Sequence, residues 1–224
     1  MKKARFEFIA SGVLFLIFVL FTVLVANVDL QPIGPENSVV GLASLNGAVA
    51  EAIGVHMVWY KITDILGYLA ILVALFFGLL GVLQLIKGKS LAKVDSDILA
   101  LGGFYVLVMV FYVIFELVGV NYRPVIIDAS EGLEASYPSS HTMLALCVFT
   151  TAIFQFQSRI KDEQICKVIE IVAVILIVLT VGGRLISGVH WFTDIIGSLL
   201  LSSSLIVLYC ATVIALKTVK KKNR

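Results

Sequence analysis

Residues 184–194, RLISGVHWFTD, decide how the rest of the chain is read. They lie between two long apolar runs, 168–181 and 195–215. An arginine, a histidine and an aspartate are costly against lipid, so ionisable groups at such a place are functional by default and need named partners. His190 and Asp194 are four residues apart. If the second run is helical from its start, they share one face and touch. A carboxylate on one imidazole nitrogen fixes the tautomer and leaves the other free to attack. Arg184 adds a permanent cation whose fork of donors suits phosphate oxygens. These three residues make half of a phosphoryl-transfer site.

The surrounding composition fits a membrane. The chain is 60% hydrophobic and 14% charged, against about 25% charged in soluble domains. One domain over 1–224 is expected, an all-α bundle of six transmembrane helices. The apolar runs place the spans at about 8–28, 65–86, 98–120, 141–158, 168–186 and 191–216. The first is read as an uncleaved span, since it is long enough to cross and no small-residue cleavage site precedes Asp29. Residues 39–58 are only moderately apolar, interrupted by Asn46, Gly47, Glu51 and His56, and are expected to form an interfacial helix. Trp59 and Tyr60 suit the headgroup level. His56 alone is read as an interfacial or packing histidine. Cys147, Cys166 and Cys210 are odd in number and lack metal-ligand spacing, so they are read as small buried hydrophobes.

Positive charge orients the bundle. With the N-terminus inside and six alternating spans, every Lys and Arg except Lys61, Arg123 and Arg184 falls on the inner side. That bias sets N- and C-termini cytoplasmic in a cell membrane. The candidate site then lies on the outer face.

The second half of the site lies in the connection between the third and fourth spans, which holds NYRP (121–124) and YPSSH (137–141). Proline is favoured in a first helical turn, and serines are good N-caps. Free backbone N–H groups at a helix start bind anions. Pro138, Ser139, Ser140 and His141 therefore offer a phosphate cradle with an acid–base histidine built in. An ordinary helix cap with an incidental histidine is the plainer reading of this tetrapeptide alone; its position level with Arg123 and the 184–194 segment favours a site.

Together these residues resemble the type 2 phosphatidic acid phosphatase, or PAP2, superfamily. Its pattern is Lys, six residues, Arg-Pro; then Pro-Ser-Gly-His; then Ser-Arg, five residues, His, three residues, Asp. Arg123 and Pro124 match the end of the first piece, Pro138, Ser139 and His141 the second, and Arg184, His190 and Asp194 the third. The resemblance implies a lipid phosphate phosphatase with His190 as nucleophile through a phosphohistidine. Asp194 would orient His190, and His141 would act as acid and base. Arg123, Arg184, Ser139 and backbone N–H groups near Ser140 would bind phosphate. No metal or cofactor is expected, no nucleic acid, and no obligate protein partner; the partners are membrane lipids and a lipid phosphate substrate. Undecaprenyl diphosphate is the first choice, with phosphatidylglycerol phosphate and phosphatidic acid close behind. A lipid phosphotransferase and a catalytically decayed lipid-phosphate binder or transport component stay open.

Three positions depart from the pattern: Glu116 stands for Lys, Ser140 for Gly and Gly183 for Ser. Glu116 reverses a charge. It lies seven residues before Arg123, on the same face if the helix continues, and is expected to pair with Arg123 or Arg184. A partly protonated glutamate at the span end, or a lost phosphate ligand, are the alternatives.

Overall fold

The structure is a computed structural model and describes residues 2–222. Seven α-helices account for most of these residues: α1 (Lys2–Asn27), α2 (Ala43–Ile53), α3 (Met57–Gly88), α4 (Ser96–Val118), α5 (Ser140–Gln157), α6 (Glu163–Ile186) and α7 (Phe192–Lys222). Two isolated β-bridges, Gln31 with Val40 and Tyr122 with Ala135, tie loops together, and there is no strand among the described residues. Of the basic tail, Asn223 and Arg224 lie outside the described residues.

Five helices, α1, α3, α4, α6 and α7, are long and apolar enough to cross a membrane. Their outward faces carry exposed Leu20, Leu75, Val106 and Ile171, an apolar surface that a soluble protein does not tolerate at this scale. The sixth expected span falls on α5, which is shorter and carries Ser140, His141, Thr142, Thr151 and Gln155. Most of α5 is buried, packed against α3, α4, α6 and α7. A helix sheathed by other helices needs no lipid-facing surface, which is why its hydropathy is weaker. The interval expected to hold an interfacial helix contains the shorter α2.

In α1 the buried residues are Ala4, Ser11, Phe18 and Val25, every seventh position. This narrow stripe faces α7, as a two-turn repeat dictates. Two hydrogen bonds lock the pair: Ser11 Oγ donates to the Ser204 carbonyl (2.9 Å) and Ser204 Oγ to the Ser11 carbonyl (3.0 Å). Ala4 and Arg5 lie beside Thr218 and Val219, whereas the end of α1 meets the start of α2 through the Leu42 N–H and the Val28 carbonyl, and Asn46 of α2 hydrogen-bonds Thr193 at the start of α7 (2.9 Å). Both terminal segments therefore share one end of the bundle.

At that same end an ion cluster fastens the helices. Arg159 bonds Asp97 (3.0 Å) and the Gln155 carbonyl (3.1 Å), and Gln155 Nε2 donates to Tyr209 Oη (2.5 Å). The opposite end is built from the start of α3, the end of α4, the start of α5, the end of α6 and the start of α7.

Candidate active site

The turn joining α6 to α7 carries the central histidine. Gly188 has φ +69°, and a Cβ there would lie 2.1 Å from the Gly54 carbonyl oxygen, so only glycine lets the turn lie against the α2–α3 connection. His190 follows in this turn, before α7 begins. Its contact with Asp194 was expected along one helix face; instead it arises at a helix start. Asp194 sits in the first turn of α7, and its Oδ2 accepts from the Trp191 backbone N–H (2.9 Å), the return half of a capping box. The same oxygen lies 3.5 Å from His190 Nδ1. Trp191 Nε1 donates to the Tyr122 carbonyl (2.7 Å), pinning the turn to the α4–α5 connection. His190 is almost wholly buried. Burial, followed by the Arg123 and Arg184 cations, holds its imidazole well below its ordinary pKa of 6.5.

Ser139 occupies the N-cap position of α5, but its side chain makes no capping bond. The backbone secures it instead: its N–H donates to the Asp194 carbonyl (3.2 Å), and its carbonyl accepts from Ser198 Oγ (2.8 Å). Its hydroxyl is thus buried and unpartnered. Ser140 begins the helix, and His141 follows with Nε2 3.0 Å from Asp64 Oδ1. Arg184 is fully buried at the end of α6. Its Nη2 donates to Asp64 Oδ1 (2.9 Å), and its guanidinium lies 5.0 Å above the Tyr60 ring.

Arg123, Ser139, His141, Arg184, His190 and Asp194 thus gather at the end of the bundle opposite both terminal segments, with charges acting across one centre. Around it lie buried polar atoms without protein partners: Ser139 Oγ, His141 Nδ1, both ring nitrogens of His190, Asp194 Oδ1, Arg123 Nη1, and Nε and Nη1 of Arg184. Each costs about 1–3 kcal/mol when unsatisfied. The donors among them suit a small anion with several acceptor oxygens.

Glu116 corrects an expectation. It is exposed, lines a small hollow that also touches His190 and Ser140, and forms no salt bridge with either arginine. The helical register invoked for it ends too early: α4 stops at Val118, and Gly119 takes φ +58°. Beyond that point the chain turns, and Arg123 pairs with Glu134, which the Tyr122–Ala135 bridge brings alongside. Arg184 pairs with Asp64. Gly183 also finds an explanation, because a Cβ there would lie 2.5 Å from Thr63 Cγ2. Its absence lets α3 approach α6 closely.

Asp64 and Glu134 went unread in the sequence. Asp64 has a usable signal, an ionisable residue beside an apolar run, but hydropathy places the span at 65–86, whereas α3 starts at Met57. Trp59 packs near Gly183 and Tyr60 beneath Arg184, so both serve this end of the bundle. His56 stands apart: it is exposed at the start of α3, with Nε2 2.9 Å from the Ile53 carbonyl.

Fold and site together define a multi-pass helical membrane protein with buried histidines and arginines gathered at one end of its bundle. The PAP2 superfamily model matches residues 97–217, more than half of the chain, and the chain belongs to that superfamily. Its fold is similar to the crystal structure of a transmembrane PAP2-type phosphatidylglycerolphosphate phosphatase from Bacillus subtilis. The TM-score is 0.61 at 20% identity, covering 92% of this chain and 96% of that one. No curated protein matches the chain.

Proposed function

We propose that this protein is a lipid phosphate phosphatase that works through a phosphohistidine. The observation that carries this reading is the set of unpartnered buried polar atoms at this end, Ser139 Oγ, Arg123 Nη1, Nε and Nη1 of Arg184, His141 Nδ1 and His190 Nε2 among them. His190 Nε2 attacks the terminal phosphorus, the bond to the leaving oxygen breaks (the lipid's own oxygen in a monophosphate, the bridging oxygen in a diphosphate), and His141 gives that oxygen a proton. Water then attacks the phosphohistidine, its proton goes to His141, and inorganic phosphate leaves with His190 restored. Asp194 holds the His190 ring and supports its positive charge. Arg123, Arg184, Ser139 and the first N–H groups of α5 stabilise charge on the transferring phosphoryl group.

A lipid substrate is supported by a groove of about 340 Å³ between α3, α4 and α5, lined by Tyr68, Ile71, Val108, Met109 and Leu144 and reaching His141. An acyl or prenyl tail in this groove would leave its phosphate at the histidines. With α5 counted as a sixth crossing, the site faces outward and both termini lie in the cytoplasm, in keeping with the distribution of Lys and Arg. Undecaprenyl diphosphate remains the preferred substrate on that face; phosphatidylglycerol phosphate, the substrate named for the structural neighbour, and phosphatidic acid are its rivals. Purified protein assayed on these lipids in chelator tests the reading. Phosphate release that His190→Ala abolishes is the expected result. Activity that chelator removes and a divalent cation restores would overturn the metal-free chemistry.

A further inference from the structure

The sequence resemblance assigns a carboxylate partner to one histidine only, His190. The structure places a second carboxylate against the other. Asp64 Oδ1 lies 3.0 Å from His141 Nε2 and accepts from Arg184 Nη2 at 2.9 Å. We propose that Asp64 is a positioning residue that fixes the His141 ring and ties it to the phosphate-binding Arg184, so that proton transfer runs through His141 Nδ1. This inference rests on the phosphatase reading and deepens it.

Two glycines build the seat for this arrangement. A Cβ on Gly67, less than one turn beyond Asp64 in α3, would lie 2.6 Å from His141 Cδ2 and 3.0 Å from Nε2. The α3 face is therefore cut to receive the imidazole. Gly183 does the same on the other side, where its missing Cβ admits Thr63 and brings Asp64 to Arg184. The close approach of α3 thus belongs to a position where this chain departs from the superfamily pattern.

The tautomer is part of the proposal and rests on the 3.0 Å contact between Nε2 and Asp64. An ionised carboxylate only accepts hydrogen bonds, so Nε2 carries a hydrogen toward Asp64. His141 Nδ1 has no protein partner and is the nitrogen left for the reaction. As imidazolium, His141 passes the Nδ1 proton to the lipid oxygen as the P–O bond breaks. As neutral imidazole, it takes a proton from the attacking water at the same atom. The charged groups acting on His141 are Asp64 from α3, Arg184 from α6, His190 from the α6–α7 turn and Arg123 from the α4–α5 connection. Only Asp64 is anionic, so no other carboxylate substitutes for it.

The test separates the two chemical steps. Asp64→Asn keeps an acceptor for Arg184 but loses the charge and the defined tautomer. Its turnover of a short-chain phosphatidic acid, an alkyl phosphate, should fall about tenfold or more. With p-nitrophenyl phosphate the leaving group departs without a proton. The pre-steady-state burst of nitrophenolate should then keep a rate within about threefold of wild type, while the steady state after it slows with the alkyl turnover, because water activation still needs His141. KM for the two substrates should move by one common factor through Arg184. Gly67→Ala, which displaces the ring while keeping the carboxylate, should show the same split and serves if the Asn variant does not fold. Equal loss of burst and alkyl turnover, or no loss of either, overturns the proposal. His190→Ala tests the parent reading separately: it should lose burst and turnover alike, and a burst surviving that change, or a wild type with neither activity, overturns both readings.

Discussion

His190 Nδ1 and Asp194 Oδ2 lie 3.5 Å apart across the start of α7, and the same carboxylate oxygen accepts the Trp191 backbone N–H. One aspartate therefore begins the helix and faces the histidine, so that the ring position is inherited from the fold. Asp194→Asn tests the two roles together. The amide still accepts from the Trp191 N–H but brings no charge to support the cationic imidazole that the proposed mechanism forms. Turnover should fall roughly a hundredfold or more, with little change in melting temperature. A melting temperature that collapses with activity would assign Asp194 to the fold alone.

Glu116 gives a prediction of definite sign. An exposed carboxylate without a partner contributes little to stability, and it stands where the superfamily pattern has a lysine. It lines the same hollow as His190, so a cation at that position would favour an arriving phosphate. Glu116→Lys should lower KM for a lipid phosphate several-fold and leave thermal stability unchanged. A raised KM with a lowered melting temperature would restore the pairing role that the sequence suggested.

The different fates of Glu116 and Asp64 show where the sequence was legible. Long apolar runs mark α1, α3, α4, α6 and α7, because lipid-facing helices announce themselves through hydropathy. The spacing of Arg184, His190 and Asp194, and the pair of Ser139 and His141 at a helix start, mark one end of the bundle, because local chemistry requires those intervals. Contacts between distant segments were hidden. Asp64 meets Arg184 only because Gly183 and Thr63 let two helices approach, and nothing local signals that. Glu134 meets Arg123 only because the α4–α5 connection folds back on itself. Glu116 differs, because its separation from Arg123 follows from a local signal: a glycine after the last apolar residue is an ordinary helix stop, and Gly119 ends α4.

The Arg123–Glu134 pair is mostly buried, with side chains only 15% and 22% accessible, so solvent screens it little. Glu134→Gln, which leaves Arg123 without its counter-charge, should cost about 1–3 kcal/mol of stability. Its functional effect should be larger, because Arg123 would no longer be aimed from the loop. A rise in KM with kcat nearly constant is the expected pattern, as for lost uniform binding of substrate and transition state. Glu131 adds a second readout at this loop. A hydrogen bond shared with Glu134, then the charge of Glu134, raises its carboxyl above the ordinary carboxylate range. Glu134→Gln should bring Glu131 back toward that range, measurable by carbon-detected NMR titration of labelled glutamate.

The pH dependence of stability follows from His190. Its folded-state pKa is depressed well below 6.5 by burial and by the two arginines, while the unfolded chain titrates near 6.5. Below that pH the unfolded state binds a proton that the folded state refuses, so this residue's contribution falls as pH drops from about 6.5 toward the folded pKa. At neutral pH the imidazole is unprotonated in both states and the contribution is complete. His190→Gln should therefore flatten the acid-side decline of melting temperature between about pH 6.5 and 5. An unchanged slope in that window would show that other groups set it.

The last prediction concerns the turn that carries His190. Gly188 adopts φ +69°, a conformation that costs an L-residue about 1–2 kcal/mol, and its missing side chain leaves room for the Gly54 carbonyl. Nearby, the His56 N–H donates to the Ser187 carbonyl (3.0 Å), so the start of α3 and the α6–α7 turn are stitched together. Gly188→Ala would strain the turn and force the two segments apart. His190 lies two residues on, and Asp64 lies two turns into the helix that would be pushed away. Stability should fall by at least about 1–2 kcal/mol, and activity should fall further than that loss explains, because both histidines lose their alignment. Gly54→Ala offers the contrast. Gly54 also has positive φ, at +72° with ψ −163°, a conformation that costs an L-residue of order 1–3 kcal/mol, yet a Cβ there meets nothing within 4 Å, so its cost is conformational, with no clash against the turn. Melting curves and kcat of the two variants at a temperature where both are folded check the distinction. Equal losses of activity would mean that the turn against Gly54 does not set the position of His190.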